Sequence, residues 1–298
     1  MAAVIERFMT KDGSLQVASV VCTEVIEEAR KIHDTFPIAS AALGRALTGA
    51  GLLASFLKDS SRLALHFKGD GPLGPVFAEG TSDGHVRGFV VNPHIHLPSK
   101  NGKLNVGAGV GKGLLSVAKS APHDKQPYTG SVEIQTGEIG EDIAFYLFQS
   151  QQIPSVVALG VFVEADNSVS AAGGAILQAM PGVTEATLEK LEKRVSKMRS
   201  ITDMIRGGAL ARDLAFEILE DFEFQKLDQT LNLTYQCQCS TARVEKALLL
   251  VGAEEIKALI EKNTPAEVLC DFCGRKYFVE QTILSQLYEV ARSRSFDA

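Results

Sequence analysis

The 298 residues are 45% hydrophobic and 22% charged, the balance of an ordinary globular chain rather than a disordered or fibrous one. A net charge of −6 excludes a general nucleic-acid binder, and no apolar run approaches the roughly 20 residues of a membrane span. Met1-Ala-Ala-Val-Ile-Glu-Arg-Phe8 lacks a basic stretch followed by an apolar core, so no secretory signal and a reducing, cytoplasmic setting are expected.

In chain order, Arg7 to Cys22 reads as a β-hairpin turning at Asp12-Gly13. Thr23 is placed to cap a helix to about His33, and Ser40 to cap a longer Ala- and Leu-rich helix over 41–58. Strands are expected at 62–67, 76–79, 85–91, 114–118, 130–135, 156–164 and 168–175, with a helix over 138–150. Strands outnumber helices and the turns are short, which favours antiparallel pairing in an N-terminal α+β core domain, residues 1–182.

Past Met180-Pro181-Gly182 the pattern changes. Leu188, Leu191, Val195, Met198 and Ile201 recur at three- and four-residue steps and mark one face of an amphipathic helix. Gly207-Gly208 interrupts, and Leu210, Leu214, Ile218 and Phe222 resume the pattern. This segment, 183–230, is expected to be a helical linker; its narrow apolar face must rest on a neighbouring domain. From 231 to 298 a small third unit is expected, with helices from Thr241 to Gly252 and from Ala253 to about Lys262. Two strands flank Cys270, and a last helix starts near Gln281. So small a core usually needs a staple.

Four of the five cysteines lie in that unit as two tight pairs, Cys237-Gln-Cys239 and Cys270-Asp-Phe-Cys273, with 30 residues between them. Four thiols in two clamps suit one tetrahedral Zn²⁺, and Gly274 lets the chain turn back under the second pair. The single residue between Cys237 and Cys239 departs from the usual zinc-ribbon spacing and favours rapid oxidation to a disulfide. Spacing alone therefore leaves a permanent structural zinc site, a redox switch and a thiol oxidoreductase open; the last lacks the βαβ context it needs. The fifth, Cys22, sits in an apolar run and reads as a buried, inert thiol.

The rest of the chain offers little chemistry. Gly107-Ala-Gly-Val-Gly-Lys-Gly113 fails both the phosphate-loop and the dinucleotide spacing and reads as a structural glycine-rich loop. His94-Ile-His96 lacks a third ligand nearby and reads as solvated. No nucleophile elbow is present, and nothing in residues 1–180 looks catalytic.

Beyond the cysteines, Lys68-Gly-Asp-Gly-Pro-Leu-Gly74, Val86-Arg-Gly-Phe-Val-Val-Asn-Pro93 and Tyr128-Thr-Gly-Ser-Val-Glu133 stand out. So do Gln152-Ile-Pro-Ser155, Leu159-Gly-Val161 and Gly173-Gly-Ala-Ile-Leu-Gln-Ala-Met-Pro181. With these motifs the chain resembles, over nearly its whole length, the redox-regulated holdase chaperone family, the 33-kDa heat-shock proteins. It departs at Gln151, where that family usually carries Glu. The resemblance implies no enzyme and no ATP, but a reduced, inactive monomer holding one Zn²⁺ on Cys237, Cys239, Cys270 and Cys273. Oxidation would form Cys237–Cys239 and Cys270–Cys273 disulfides, release the zinc and unfold the C-terminal module and linker. The chain would then dimerise and bind unfolding client proteins in a stress response. Leu188, Leu191, Val195 and Met198 are the candidate client-binding residues, either released as that surface themselves or uncovering one on the core domain. The alternative is a constitutive, zinc-stabilised protein-binding module with no redox cycle.

Overall fold

A computed structural model describes residues 2–294. In chain order its first elements are β1 (Val4–Thr10), β2 (Leu15–Val21), α1 (Thr23–His33), α2 (Pro37–Ala54), β3 (Arg62–Gly69), β4 (Val76–Thr81) and β5 (His85–Val90). There follow α3 (Val106–Val110), β6 (Gly113–Ser120), β7 (Tyr128–Glu133), α4 (Gly140–Gln149), β8 (Ser155–Val163) and β9 (Val169–Ala179). The helices α5 (Glu185–Val195), α6 (Ile201–Arg206) and α7 (Ala211–Leu219) precede short strands β10 (Phe224–Lys226), β11 (Leu231–Asn232) and β12 (Thr234–Tyr235). The chain ends with α8 (Thr241–Val251), α9 (Ala253–Glu261), β13 (Ala266–Leu269), β14 (Lys276–Val279) and α10 (Gln281–Arg294). The α+β class expected from the sequence holds. Two compact units result, Met1–Gln236 and Cys237–Ala298.

The first unit is organised around α2. This helix is apolar on every side and packs against β4 and β5 of one sheet and β8 and β9 of another. All its residues but Pro37 and Arg45 are buried. Length and composition alone would let it cross a membrane, which the sequence reading did not expect of any segment, yet 89% of it is buried inside the protein. The sheets it separates run β10-β1-β2-β9-β8, with β11 also on β1, and β12-β5-β4-β3-β6-β7. All pairings within them are antiparallel except β12 with β5. Close approach needs glycine at the contacts: a Cβ on Gly80 would lie 2.5 Å from the Ala50 carbonyl oxygen.

Several boundaries differ from the expected ones for local reasons. Pro37, with its preset φ, starts α2 after Phe36, whereas Ser40 is buried inside the helix and donates to the Thr35 carbonyl at 3.1 Å. Thr23 does not cap α1; its hydroxyl accepts the Ala172 N–H at 3.0 Å and ties the helix to β9. The glycine-rich stretch forms the short helix α3, capped by the Asn105 side chain. Leu231–Gln236 hydrogen-bonds into the sheets of the first unit through β11 and β12.

The segment after Gly182 covers the face of the first sheet opposite α2, with α6 on β8 and β9 and α7 on β1, β2 and β9. The single helical face read through Leu188 to Ile201 is broken after Val195. Glu217, almost fully buried on α7, draws in Arg199 through its backbone N–H and guanidinium and Arg194 at 3.1 Å, which turns the chain between α5 and α6.

An ion cluster at the other side of this unit sets an acid limit. Glu27 on α1 takes two hydrogen bonds from Arg30, at 2.7 and 2.8 Å, and one from the Val169 N–H at 2.9 Å. The Arg30 guanidinium, against the opposing effect of burial, holds the Glu27 carboxyl at about 2, below its ordinary 4.5. Because the folded value is depressed, the stabilisation is full above pH 4.5 and is lost as pH falls through about 2. Glu27→Gln is expected to cost about 1.5–3 kcal/mol at pH 7, converging on the parent as pH drops toward 2, measured by denaturant unfolding.

Candidate metal centre

The second unit has a small core. Val244, Leu248, Ile256, Ala266, Val279, Leu284, Leu287 and Ala291 are its buried apolar side chains. Two pieces of this unit, far apart in sequence, deliver the cysteines. Cys237 and Cys239 precede α8, whose N-terminus is fixed by the Ser240 side chain accepting the Arg243 N–H. Cys270 and Cys273 lie in the turn joining β13 to β14, whose register runs from Ala266↔Val279 to Leu269↔Lys276. The turn is tight: the N–H groups of Cys273 and Gly274 both donate to the Cys270 carbonyl, at 3.2 and 2.8 Å. Gly274 takes φ +66°, a conformation that costs glycine little.

The four sulfurs lie within 4.8 Å of one another, and each residue is half-buried. The nearest separations run between the pairs, Cys237 to Cys270 at 3.6 Å and Cys239 to Cys273 at 3.4 Å. Tetrahedral ligation with metal–sulfur bonds of about 2.3 Å separates sulfurs by about 3.8 Å, so the donor set fits one metal ion of that kind. All four are free thiols rather than disulfides in this structure.

The electrostatics are uneven. Burial pushes Cys239 up, but hydrogen bonds from the Tyr277 hydroxyl and the neighbouring thiols outweigh it and bring Cys239 down to about 7. Burial pushes Cys273 up to about 12, and its hydrogen bond to Cys239 adds to the rise. Burial likewise raises Cys270. Of the three shifted thiols, Cys239 alone is drawn toward the thiolate. Tyr277, on β14 four positions after Cys273, donates to the Cys239 sulfur at 3.0 Å. The sequence reading did not single it out, because only the β13–β14 hairpin folds it back over the first cysteine pair.

The other candidates fall elsewhere. Leu191 is buried and Leu188, Val195 and Met198 are partly buried in the helical layer of the first unit, packed with Phe8, Leu15, Leu177 and Leu214. His94 and His96 pack against Phe36, and His94 also meets Asp34 at 3.1 Å. Cys22 is buried beside Thr48, and burial pushes it up to about 12, in keeping with an inert thiol.

Known proteins share this architecture. A family model described as "Hsp33 protein" matches residues 4–280. The 33 kDa chaperonin of Thermodesulfovibrio yellowstonii is 44% identical over 271 residues, covering 91% of this chain and 93% of the relative. That of Desulforamulus reducens is 41% identical over 282 residues, 94% of this chain and 95% of the relative. A crystal structure of the 33 kDa chaperonin (heat shock protein 33 homolog) of Thermotoga maritima aligns with a TM-score of 0.88 at 31% identity, covering 98% of this chain and 100% of that one.

Removing the Tyr277 donor tests the charge distribution directly. In reduced, zinc-loaded protein at pH 7, Tyr277→Phe removes a hydrogen bond that draws charge off the sulfur and is expected to speed iodoacetamide alkylation of Cys239 about threefold or more, followed by peptide mass spectrometry. An unchanged rate would show that the phenol does not set the Cys239 thiolate.

Proposed function

Because this chain belongs to the Hsp33 family of chaperones, we propose that it is an ATP-independent holdase switched on by oxidation of its four-cysteine centre. The observation that carries the proposal is the convergence of Cys237, Cys239, Cys270 and Cys273 within 4.8 Å, in a unit with a small apolar core. A zinc ion bound there would keep all four sulfurs as thiolates and cross-link the start of α8 to the β13–β14 hairpin. Such sites contribute about 10–16 kcal/mol, as much as the whole stability of a typical domain.

Oxidation removes the donors in pairs. Two thiolates of one pair give up two electrons and form an S–S bond, while one hydrogen peroxide takes those electrons and two protons from solvent and becomes two waters. The proposed bonds are Cys237–Cys239 and Cys270–Cys273. With its cross-link gone the second unit unfolds, and the chain acts as three parts: the core, residues 1–182, the helical linker, 183–230, and the switch, 231–298. Release of the linker frees Leu188, Leu191, Val195 and Met198, which offer an apolar surface to unfolding clients and to a second copy of the chain. The proposal includes a non-enzymatic role in the cytoplasm, with a monomer when reduced and a dimer when active.

Full-length reduced protein is expected to carry one zinc ion and to release it, with loss of four titratable thiols, on peroxide treatment at raised temperature. Only the oxidised form should suppress light scattering from a thermally aggregating client. Equal suppression by the reduced form would leave the constitutive binding module as the reading.

The seat of the linker offers a second test. A Cβ on Gly160 of β8 would lie 2.9 Å from the Thr202 methyl and 3.2 Å from Ile201, both on α6. Gly160→Val is expected to loosen the layer by about 1–3 kcal/mol and to give reduced, zinc-loaded protein measurable holdase activity and dye binding.

A further inference from the structure

The segment just before Cys237 is seated in the first unit like a bound peptide. Leu231-Asn-Leu-Thr-Tyr-Gln236 carries no charge and places its large apolar side chains at every second position. Leu231 and Asn232 pair with β1 of the first sheet. Thr234 and Tyr235 pair in parallel with β5, which would otherwise be the edge strand of the second sheet. Backbone hydrogen bonds fix the register. The Leu233 N–H donates to the Ala3 carbonyl at 2.7 Å, and the Thr234 and Gln236 N–H groups donate to the Gly84 and Val86 carbonyls, each at 2.9 Å.

Side chains add selectivity to that pairing. Leu233 is 2% exposed and fills a slot floored by Gly51 of α2. A Cβ on Gly51 would lie 2.7 Å from the Leu233 Cδ1 and 3.1 Å from the Val86 Cγ1, so the slot exists because that helix position has no side chain. The Tyr235 hydroxyl donates to the Gly88 carbonyl at 3.0 Å and meets His33 Nε2 at 2.8 Å. Pairing to a sheet edge, with pockets for alternate side chains, is how extended peptides are generally recognised.

If the redox switch works as proposed above, the chain on both sides of this strap comes loose, the helical linker before it and the four-cysteine unit after it. A parallel strand of two residues then has little of its own to hold it. Its departure leaves the Gly84 and Val86 carbonyls without donors and the Gly51 slot without an apolar occupant. We propose that the β5 edge and the Leu233 slot are an acceptor site for extended client segments, closed in the reduced protein by the chain's own strap. The fitting segment is uncharged, with a branched aliphatic side chain two residues before an aromatic one. This site rests on the redox-switch reading and adds a place in the core where a client is held.

The test uses fluorescein-labelled Leu-Asn-Leu-Thr-Tyr-Gln, titrated by anisotropy into full-length protein before and after peroxide treatment, with zinc release read in the same samples. The oxidised protein is expected to bind it saturably and about tenfold or more tighter than the reduced protein. The same peptide carrying L233D should bind about tenfold or more weakly, and Gly51→Ala, which puts a methyl on the slot floor, should weaken the parent peptide by a similar factor. Leu233→Asp in reduced, zinc-loaded protein drives the strap from the slot without oxidation and should bring peptide binding toward the oxidised level. No saturable binding by protein that has released its zinc, or equal binding of the L233D peptide, overturns the acceptor site and leaves the switch standing. Zinc retained after oxidation overturns the switch instead, and the reduced Leu233→Asp protein then decides the site: peptide binding supports it, and none overturns it.

Discussion

Two chain segments about 30 residues apart meet at four sulfur atoms, and a unit of roughly 60 residues closes around them. A chain this short buries too little apolar surface to offset the ordering of its backbone, which costs about 1–2 kcal/mol per residue. Its core is built from short aliphatic side chains, and Leu250, Val251, Leu269 and Phe278 remain exposed. Whatever joins the start of α8 to the β13–β14 turn therefore governs whether this unit holds together. Cysteine is the one residue type that can make that junction and also lose it by a change of redox state.

The first unit is built on the opposite balance. Its core extends through two sheets around a buried, mostly apolar helix, and Glu27 and Arg30 place charged groups at a hydrogen-bonded joint rather than at a reactive centre. The helical layer α5–α7 is intermediate in character. It has a genuine core in Leu191, Leu214, Ala215, Ile218 and Leu219, yet α6 sits on Gly160 and Gly173, where only the absence of side chains permits the contact. Such a layer closes well over the sheet but depends on a few positions. On the proposed reading, this is the part released when the cysteine centre opens.

The strand and helix order of residues 1–182 was legible because Asp12-Gly13, Ser82-Asp-Gly84 and similar turn signals separate alternating or apolar runs. The cysteine site was legible because its spacing is a chemical requirement that local structure cannot disguise. Less legible was the break after Val195, since a continuous helical face runs through Leu188 to Ile201 in the sequence. The break arises from Arg194 and Arg199 reaching the buried Glu217, a long-range charge interaction that periodicity does not encode. The strands β10, β11 and β12 were missed because each is only two or three residues long and exists by pairing with a distant partner.

Sequence by itself determined the α+β class, the pairing of cysteines into two clamps, and the family, all of which rest on residue type and spacing along one dimension. Tertiary structure decided what those residues meet. It brought the two clamps to within 4.8 Å, laid the Tyr277 hydroxyl on Cys239, and tied Arg194 and Arg199 to the buried Glu217. Such encounters join segments whose separation in the chain carries no local signal, and only the closure of sheets and hairpins sets their distances.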